Sequence, residues 1–463
     1  MTTIKPTFKM KSINGDSLTP ITIYKQLSGN NKFLLESSFQ HETKGKYSYI
    51  GVNPIEEIIG NNAETTIINH LTNQTNIFNI DALTYIKRHL PKIDTPLPLP
   101  FSGGAIGYVG YDAYRQYADI GEMLESDIGM PDIHFMIYRE IIVYEHFSEK
   151  VYIIAMNLDD APGITLDKRI LILEEQLKKP ILLAELENID INFTPQLTKD
   201  AFIKQVEQAK AYINSGETTQ IVLSQKFNAP MTSDPLSFYR YLRSSNPSPY
   251  MFYIDFTDYL IIGASPESLV QTTGDKVITN PIAGTRPRGK NDEEDTILSK
   301  DLLSDPKEVN EHDMLVELSK ADLSPICYTE TIKVPVYKKI EKYEHVMHIV
   351  SEVHGQLLKN TSSIDALIAC LPAGTVSGAP KTRAMQIINE IENKKREFYA
   401  GGIGYITFNH DVNLAISIRS IVIKDEVAYL QTGAGIVIDS IPEKEYEETL
   451  HKARSLMELN KNN

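Results

Sequence analysis

Strand-like runs and amphipathic helices are mixed along the whole of this chain, without the regular strand–helix–strand alternation that builds a parallel sheet. Three short apolar runs near the start, FLLESSF (33–39), YSYIGV (47–52) and EEIIG (56–60), are separated by polar turns. The runs EIIVYEHF (140–147) and KVYIIAM (150–156) predict a hairpin that turns at Ser148–Glu149. Helices are predicted over 81–90 and 164–178. This mixture predicts an α+β fold with antiparallel sheets rather than a doubly wound fold.

A linker that contains Pro180 and Pro195 divides the sequence into two segments. We place the boundary near 190–197, which gives an N-terminal region 1–190 and a second region 197–458. The second region opens with a predicted helix, for which Thr198 is a candidate N-cap and Gly216 a candidate stop. One apolar stripe of that helix consists of Phe202, Val206, Ala209 and Ile213.

A nine-residue motif, which we call the echo, occurs once in each of the two regions. The segments FSGGAIGYV (101–109) and FYAGGIGYI (398–406) align without gaps and share Phe, Gly, Ile, Gly and Tyr at matching places. Glycine within a strand marks a place where another backbone approaches closely. The echo therefore predicts equivalent glycine-rich strands in the two regions.

Charge and cysteine content exclude several classes of protein. A net charge of −15 over 463 residues argues against a nucleic-acid or anionic-membrane surface. The two cysteines, Cys327 and Cys370, do not form a CxxC pair, which disfavours a disulfide framework or a thiolate zinc site. No apolar run approaches 18 residues, and the start MTTIKPTFKMKSING lacks the apolar core of a signal peptide. We expect a cytoplasmic protein.

Paired carboxylates occur in two segments that each follow a proline. In IPEKEYEETLHK (441–452), a helix that starts at Pro442 places Glu445 and Glu448 on one face. In SDPKEVNEHDMLVEL, Glu308 and Glu311 have the same spacing. Such pairs are most often solvated helix surface, but two helices of this kind could also meet around one Mg²⁺ ion, which prefers oxygen ligands.

Three glycine-rich loops carry backbone amides suited to an anion. They lie in NPIAGTRPRGK (280–290), LPAGTVSGAPKTRAMQII (371–388) and LQTGAGIVIDS (430–440), and Arg419 and Lys452 add positive charge. Each loop alone is explained by a tight turn, whereas together they favour a small anionic substrate. His348 is either a packing residue or a proton donor at that site. No GxGxxG after a strand and no GxxxxGK[ST] is present, so a nucleotide fold is disfavoured.

Six segments in this order resemble the chorismate-utilising enzymes, and among them most of all the large subunits of anthranilate synthases. They are PIAGTRPRG, HVMHIVSEVHGQL, LPAGTVSGAPKTRAM, AGGIGYI, ISIRS and QTGAGIVIDSIPEKEYEET. The resemblance is dense over 200–455 and reaches the N-terminal region through LLESS, GKYSYIG and FSGGAIGYVGYD. It implies two large, mainly antiparallel sheets packed together with helices outside. It also implies a regulatory N-terminal region and a catalytic second region.

The resemblance assigns roles to individual residues. It implies that Glu311 and Glu448 bind Mg²⁺ directly and that Glu308 and Glu445 hold its waters. Glu267 matches the family's general acid for the ring hydroxyl of chorismate. His348 and Thr375 match residues around the leaving groups. The implied substrate-binding residues are Ala283, Gly284, Thr285, Tyr405, Arg419, Gly433, Ala434, Gly435 and Lys452.

Two positions discriminate between reactions within the family. Members that add water carry a lysine base where this chain has Gln220, which implies that ammonia is the nucleophile here. Many aminodeoxychorismate synthases carry a lysine where this chain has Ala283, although some lack it. The expected reaction is amination of chorismate with loss of pyruvate to give anthranilate. An aminodeoxychorismate synthase component I is the alternative within the family.

A feedback site for L-tryptophan is also implied. Its residues are Glu36, Ser37 and Lys46 together with Pro249, Tyr250 and Met251. Glu36 would hold the amino group of tryptophan, and the other reading of these residues is a plain apolar strand edge. The chain contains no tryptophan, which suits an enzyme that must be made when that amino acid is scarce.

One segment departs from the family pattern, and one activity has no residues in this chain. Where the family reads RNDL followed by GR, this chain reads KADLSP within SKADLSPIC (319–327). Ala321, Ser324 and Pro325 replace the family's residues, and Asp322 is retained. We expect the local structure to differ there. A non-catalytic tryptophan-binding protein is therefore the alternative of another class. Neither cysteine lies in the glycine-rich elbow of a glutamine amidotransferase, which implies a separate amidotransferase subunit and a hetero-oligomer.

Overall fold

The computed structural model describes residues 7–37, 45–93, 97–158, 165–181, 186, 189, 191–343 and 346–457. Within these ranges it contains ten α-helices and 24 strands. The helices are α1 (Pro20–Gln26), α2 (Ala82–His89), α3 (Leu166–Leu177), α4 (Lys199–Asn214), α5 (Pro235–Ser245), α6 (Asp292–Ser304), α7 (Pro306–Leu323), α8 (Ser363–Cys370), α9 (Lys381–Ile391) and α10 (Pro442–Met457). Across the described ranges, no helix has both the length and the apolar character needed to cross a bilayer.

The strands are short, as is usual in antiparallel sheets. They are β1 (Thr7–Asn14), β2 (Phe33–Glu36), β3 (Tyr47–Gly51), β4 (Glu56–Asn61), β5 (Glu64–Asn69), β6 (Gln74–Phe78), β7 (Gly104–Val109), β8 (Ile133–Tyr138), β9 (Glu140–Glu145), β10 (Lys150–Asn157), β11 (Thr194–Pro195), β12 (Gln220–Pro230), β13 (Tyr250–Asp255), β14 (Leu260–Ser265), β15 (Ser268–Thr273), β16 (Lys276–Thr279), β17 (Ile282–Pro287), β18 (Lys333–Lys342), β19 (Val346–Gln356), β20 (Gly378–Ala379), β21 (Gly402–Thr407), β22 (Val412–Ile416), β23 (Ser420–Lys424) and β24 (Val427–Ile436).

Two 12-stranded sheets hold all of these strands. The first has the order β1-β10-β9-β3-β2-β13-β14-β23-β24-β12-β11, with β20 on β12. The second has the order β17-β19-β16-β15-β22-β21-β7-β8-β4-β5-β6, with β18 on β19. Because neighbouring strands pair antiparallel, the expectation of an α+β fold with two large antiparallel sheets is confirmed.

Side chains of the first sheet alternate between two cores. On β2, Phe33 and Leu35 lie in the core between the sheets, whereas Leu34 faces the helices outside. That inner core also takes Ile106 and Phe135 from the second sheet. The alternation follows from the two-residue period of a strand, so the predicted short strands bury apolar side chains on both faces.

The two sequence regions share both sheets. Strand β2 of the first region pairs with β13 of the second, with Glu36 opposite Met251. The two echo segments are themselves neighbours, because β7 pairs with β21 and places Gly107 opposite Gly404. A Cβ atom on Gly107 would lie 1.9 Å from the carbonyl oxygen of His134, which confirms that backbones approach closely at these glycines. The boundary near 190–197 stays a prediction about function.

The helix that opens the second region begins and ends where the sequence predicts. Thr198 caps α4 by accepting a hydrogen bond from the amide of Ala201, and the chain leaves the helix at Gly216, where φ is +78°. The predicted apolar stripe packs against β12, α9 and α10. Helix α4 thereby supports the strands and helices that carry the site.

Candidate active site

The two glutamate pairs face each other across the start of α7 and α10. Each helix begins at a proline, which suits the first turn because its missing amide proton is not needed there. Burial raises the pKa of Glu308, Glu311 and Glu445, and the charge of Glu448 raises all three further. Mutual repulsion between carboxylates of different helices requires that they lie close together. The structure thus brings together the four glutamates that the sequence pairs only within each helix.

The neighbouring glutamates of α10 behave as solvated surface. Glu447 lies on the exposed side and pairs with Lys199 at 3.1 Å, and Glu443 is exposed as well. Of the pair on α10, Glu445 is buried and Glu448 is partly exposed, with its side chain 45% accessible.

The donor chemistry of the glutamate cluster (Glu308, Glu311, Glu445 and Glu448) fits a hard dication. All four side chains are carboxylates, and a dication would offset the repulsion that adds to burial in raising the pKa of Glu308, Glu311 and Glu445. They are not gathered at ligand distance, since no group of three or more His, Cys, Asp or Glu side chains within the described ranges is placed to enclose an ion. Instead, the Lys452 ammonium lies 2.7 Å from Glu448 and supplies part of the missing positive charge.

A tight turn in β17 sets one wall of this cluster. Gly284 has φ +71°, and a Cβ atom there would lie 3.1 Å from the carboxylate of Glu308 and 3.0 Å from Leu302. The carbonyl oxygen of Gly284 accepts a hydrogen bond from Nδ1 of His348 at 2.8 Å, and the Thr285 hydroxyl lies 3.2 Å from the same nitrogen. Ala283 is buried on the same strand. The predicted 283–285 segment therefore binds His348 and lies beside Glu308.

The geometry of His348 changes its expected role. A carbonyl can only accept, so Nδ1 carries the proton, and burial lowers the pKa of the ring. The neutral ring then presents a bare Nε2. This arrangement favours a proton acceptor at His348, not the proton donor that the sequence pattern predicted.

Glu267 is the buried acid of the site. It lies in the turn between β14 and β15 and is 8% exposed. Burial raises its pKa to about 8, while the Thr375 hydroxyl and the Lys452 ammonium oppose that rise. At neutral pH the carboxyl is therefore protonated and able to donate.

Lys452 and Arg419 connect α10 with its neighbours, among them β24, which is the glycine strand that carries Gly433 and Gly435. Nζ of Lys452 donates to the carbonyl oxygen of Gly433 on β24 at 2.8 Å. Arg419 has a positive φ of 52°, and its guanidinium donates to the Ser455 hydroxyl at 3.0 Å. The guanidinium also interacts electrostatically with the Glu448 carboxylate. A non-glycine residue at positive φ is uncommon and marks a site where the surroundings fix the side chain.

Gln220 lies over the end of the glycine strand. A Cβ atom on Gly435 would lie 2.8 Å from Nε2 of Gln220, so only glycine leaves room for this amide. Oε1 of Gln220 is buried and has no hydrogen-bond partner among the described residues. A buried, unpaired acceptor is costly unless a ligand satisfies it. Ala434 lies between the two glycines and faces the core under α4.

Tyr405 connects the substrate residues with the residues predicted to bind tryptophan. Its hydroxyl accepts from Nδ2 of Asn413 at 3.0 Å, and its ring packs 4.7 Å from that of Phe101. Tyr250, which accepts a hydrogen bond from Gln271 at 2.6 Å, is within electrostatic reach of Tyr405.

The residues predicted for tryptophan are only partly brought together. Met251 and Glu36 are direct cross-strand partners, and Ser37 follows on the same strand end. Buried Pro249 precedes β13. Lys46, by contrast, is 60% exposed and pairs with Glu145 at 3.4 Å, so the structure does not place it against Glu36.

Glu36 already has polar partners in the structure. One carboxylate oxygen accepts from the Tyr239 hydroxyl at 2.6 Å and lies 3.0 Å from Nε of Arg243. The other accepts from the Ser48 hydroxyl at 3.3 Å. An ammonium group that binds here would share a carboxylate whose position these contacts fix.

Sequence reasoning missed a buried ion pair that supports the site. The Arg396 guanidinium is 1% exposed and bonds Glu392, the carbonyl of Val376 at 2.7 Å and the carbonyl of Val222 at 2.6 Å. Glu392 accepts from the amide of Ser224, the residue opposite Gly433. The pair thus ties the Thr375 turn to the glycine strand. Its position just before the echo segment is the signal that could have found it.

Comparisons with known proteins show the family to which this chain belongs. The profile of the chorismate binding enzyme family matches residues 30–458. Anthranilate synthase component 1 of Lactococcus lactis is 42% identical over 460 residues, which cover 97% of this chain and 99% of that protein. The crystal structure of anthranilate synthase component I from Streptococcus pneumoniae superposes with a TM-score of 0.84 at 41% identity, covering 96% of this chain and 98% of that one.

A more distant structure shares the fold alone. MenF, the menaquinone-specific isochorismate synthase from Escherichia coli, is 19% identical and superposes with a TM-score of 0.72 over 98% of this chain and 95% of its own. The match of the family profile over most of the chain and the full-length relatives at about 40% identity lead to one conclusion. This chain belongs to the chorismate binding enzyme family.

Proposed function

We propose that this chain is the large subunit of an anthranilate synthase, which aminates chorismate with ammonia and eliminates pyruvate in a magnesium-dependent reaction. The observation that carries the proposal is the convergence of the glutamate cluster with a buried, protonated Glu267 and with Lys452. A dianionic substrate needs positive charge at one side and a proton donor for its hydroxyl at another. The names of the full-length relatives support the same reaction.

Binding and orientation fall to the cations and the glycine strand. Arg419, Lys452 and the amides of Gly433–Gly435 hold carboxylate oxygens of the substrate. The resemblance implies that Glu311 and Glu448 would bind a magnesium ion and that Glu308 and Glu445 would hold its waters. Such an ion would supply positive charge to the ring carboxylate and withdraw electron density from the ring.

Proton transfers fall to Glu267 and His348. Glu267 gives its proton to the ring hydroxyl, whose carbon–oxygen bond breaks with the electron pair on oxygen, so that water leaves. Oε1 of Gln220 orients ammonia, whose lone pair forms the new carbon–nitrogen bond. The new ammonium group loses its surplus proton to solvent. Nε2 of His348 then accepts the ring proton as the enolpyruvyl carbon–oxygen bond breaks, and the leaving enolate takes this proton from His348 and becomes pyruvate. These steps leave an aromatic ring that carries an amino group beside the carboxylate.

The ammonia comes from a separate glutamine amidotransferase subunit. Both cysteines of this chain are buried free thiols, and burial raises the pKa of Cys327 to about 11 and that of Cys370 still further. Neither thiol is a nucleophile at neutral pH, because nucleophilic cysteines have a lowered pKa. We accordingly place the protein in a hetero-oligomer in the cytoplasm.

L-tryptophan inhibits the enzyme at the edge between β2 and β13. The buried carboxylate of Glu36 binds the amino group, and Pro249, Tyr250 and Met251 pack the indole. Because Tyr250 lies near Tyr405, a ligand at this edge packs close to a residue of the substrate pocket.

The test is turnover by the purified chain with chorismate, MgCl₂ and ammonium chloride at alkaline pH, read by fluorescence and product mass. We expect fluorescent anthranilate, lost on omission of magnesium and reduced by tryptophan. A product that retains the enolpyruvyl group indicates an aminodeoxychorismate synthase instead, and no product at all indicates a binding protein.

A matched pair of variants on α10 tests the site itself. Glu448→Gln removes a carboxylate of the cluster, whereas Glu447→Gln removes the preceding carboxylate of the same helix, which pairs with Lys199 outside the cluster. We expect activity to fall by at least about 100-fold in the first and to stay within about twofold in the second. Equal activity of the two variants contradicts the proposed site.

A further inference from the structure

A small polar cavity extends behind Glu267 along α7. The helix face that carries Glu308 and Glu311 continues with Leu315, Leu318, Ser319 and Asp322, at the spacing of successive turns. These last four residues line the cavity together with Glu267 and Thr375. Since a helix rises 1.5 Å per residue, Asp322 lies about 16 Å along the axis from Glu311, well away from the glutamate cluster.

The cavity has polar groups that nothing else in the described chain satisfies. The hydroxyls of Ser268 and Thr279 line it and have no hydrogen-bond partner among the described residues, although these residues are only 5% and 6% exposed. The cavity volume is about 30 Å³, which is enough for about two water molecules. Buried hydroxyls of this kind are ordinarily satisfied by ordered water.

Asp322 connects the cavity with the surface. It is the polar residue that the departing KADLSP segment retains, on the last turn of α7. Its carboxylate is 19% exposed and pairs with Nζ of Lys381 at 2.8 Å. Burial raises the pKa of Asp322, and Lys381 opposes that rise. The group is thus at once in contact with the cavity, with a cation and with solvent.

Glu267, on the other hand, has little contact with bulk solvent from which to recover a proton. It is 8% exposed, and in the proposed function the bound substrate covers it further. After it has protonated the leaving hydroxyl, it is a buried carboxylate anion, which is unstable until a proton returns. A substrate cycle therefore needs a second route for protons.

We propose that two water molecules in this cavity, bound by Ser268 and Thr279, carry a proton from Asp322 to Glu267 after each turnover. This inference rests on the proposed function, because it assumes that Glu267 is the acid. The Asp322 carboxylate takes a proton from solvent and passes it through the two waters to the Glu267 carboxylate, which leaves Asp322 ionised as before. No electron pair is transferred to or from the substrate in this step. Asp322 touches no substrate and acts through Glu267.

Few other charged groups face this path. Lys452 and Tyr343 are the titratable neighbours that interact with Glu267, and neither of them lines the cavity. Lys381 and the buried Cys370 thiol face Asp322. Cys370 keeps its proton, because burial raises its pKa, so it does not compete as a donor at neutral pH.

The test is rapid mixing of the wild type and of Asp322→Asn at pH 7 with chorismate, magnesium and ammonium, followed by anthranilate fluorescence. Glu267 starts protonated in both enzymes. We expect the first turnover per site to have the wild-type rate in the variant, and later turnovers to be about 10-fold slower with a larger solvent deuterium isotope effect. A variant with a merely structural defect slows the first turnover as well.

Thr279→Val tests the same relay without disturbing the Asp322–Lys381 pair. If Asp322→Asn does not fold, Thr279→Val alone provides the test. Its control is Thr65→Val, which removes a buried hydroxyl on β5, remote from the cavity, that donates to the carbonyl of Ile80. We expect slow later turnovers in Thr279→Val and wild-type kinetics in Thr65→Val.

Four outcomes overturn the relay: equal slowing of first and later turnovers, no slowing in either cavity variant, slowing in Thr65→Val to the same extent, or a higher KM for ammonium with unchanged proton kinetics. The last outcome makes the cavity an ammonia site. If the wild type itself forms no anthranilate, the proposed function fails and the relay with it. If the wild type forms anthranilate and both cavity variants show wild-type kinetics, the relay is refuted while the proposed function stands.

Discussion

Replacing Glu267 by glutamine should abolish activity and yet stabilise the protein at alkaline pH. Glutamine keeps the size and the hydrogen-bonding capacity of the protonated acid but cannot ionise. Burial raises the pKa of Glu267 to about 8, from an ordinary value of 4.5. The folded protein therefore holds a proton on this group that the unfolded chain releases over the range between these two values.

The sign and size of the effect follow from this difference. Below about pH 4.5 the carboxyl is protonated in both the folded and the unfolded state, so its raised pKa does not change the free energy of unfolding. Between pH 4.5 and about 8 unfolding releases the proton, so the free energy of unfolding falls as the pH rises. The gap of about 3.5 between the pKa values, at about 1.4 kcal/mol each, gives a cost of up to about 5 kcal/mol at pH 8 and about 2 kcal/mol at pH 6.

The measurement is thermal unfolding of the wild type and of Glu267→Gln at pH 6 and at pH 8. The advantage of the variant should grow by about 3 kcal/mol between these pH values, which corresponds to about 3 °C in Tm for a chain of 463 residues. Glu175→Gln, on the exposed side of α3, is the control and should show no such growth. A constant or shrinking advantage refutes the buried protonated acid.

The same carboxyl sets the pH dependence of turnover. Glu267 must be protonated to donate, so at a fixed concentration of free ammonia the wild-type kcat should fall as the pH rises through about 8. In Glu267→Gln the residual rate should be lower by about 100-fold or more and should lack this fall. A wild-type rate that is flat from pH 7 to pH 9 at constant free ammonia contradicts the assignment.

Three further substitutions test other parts of the site. Glu311→Gln should weaken magnesium binding by about 10-fold or more in calorimetric titration, because it leaves the cluster one carboxylate short; unchanged binding excludes Glu311 as a ligand. Gly284→Ala should lower the free energy of unfolding by about 1–2 kcal/mol in denaturant titration, since alanine is strained at φ +71° and meets Leu302; an unchanged midpoint contradicts this. Glu36→Gln should raise the tryptophan concentration for half-inhibition by about 10-fold or more, and equal inhibition removes Glu36 from the regulatory site.

Local structure followed closely from the sequence because its signals are local. The cap at Thr198, the prolines that open α7 and α10 and the hairpin of β9 and β10 all lie where the residues predict them. Each depends on hydrogen bonds and dihedral preferences of neighbouring residues, which the sequence contains in full. The glycine echo went one step further, because close backbone approach has a residue signature of its own.

Side-chain states depended on the environment and were predicted less well. The sequence identifies His348 but not that its Nδ1 is committed to Gly284, which decides that Nε2 accepts a proton. Lys46 belongs to the predicted tryptophan residues, yet it pairs with Glu145 at the surface. The Arg396–Glu392 pair lies just before the echo segment, but the sequence does not show which carbonyls it binds, since these belong to other segments.

The sequence by itself determined which residue types this protein can use: two i,i+3 carboxylate pairs, glycine-rich anion loops and a glutamine in place of a basic lysine. Only the tertiary structure decided that Glu311 and Glu448, which are 137 positions apart by their numbers, repel each other across one site. Spacing along a helix fixes which side chains share a face. The packing of two helices against one sheet, and the burial that comes with it, fixes which faces meet and which carboxyl keeps its proton.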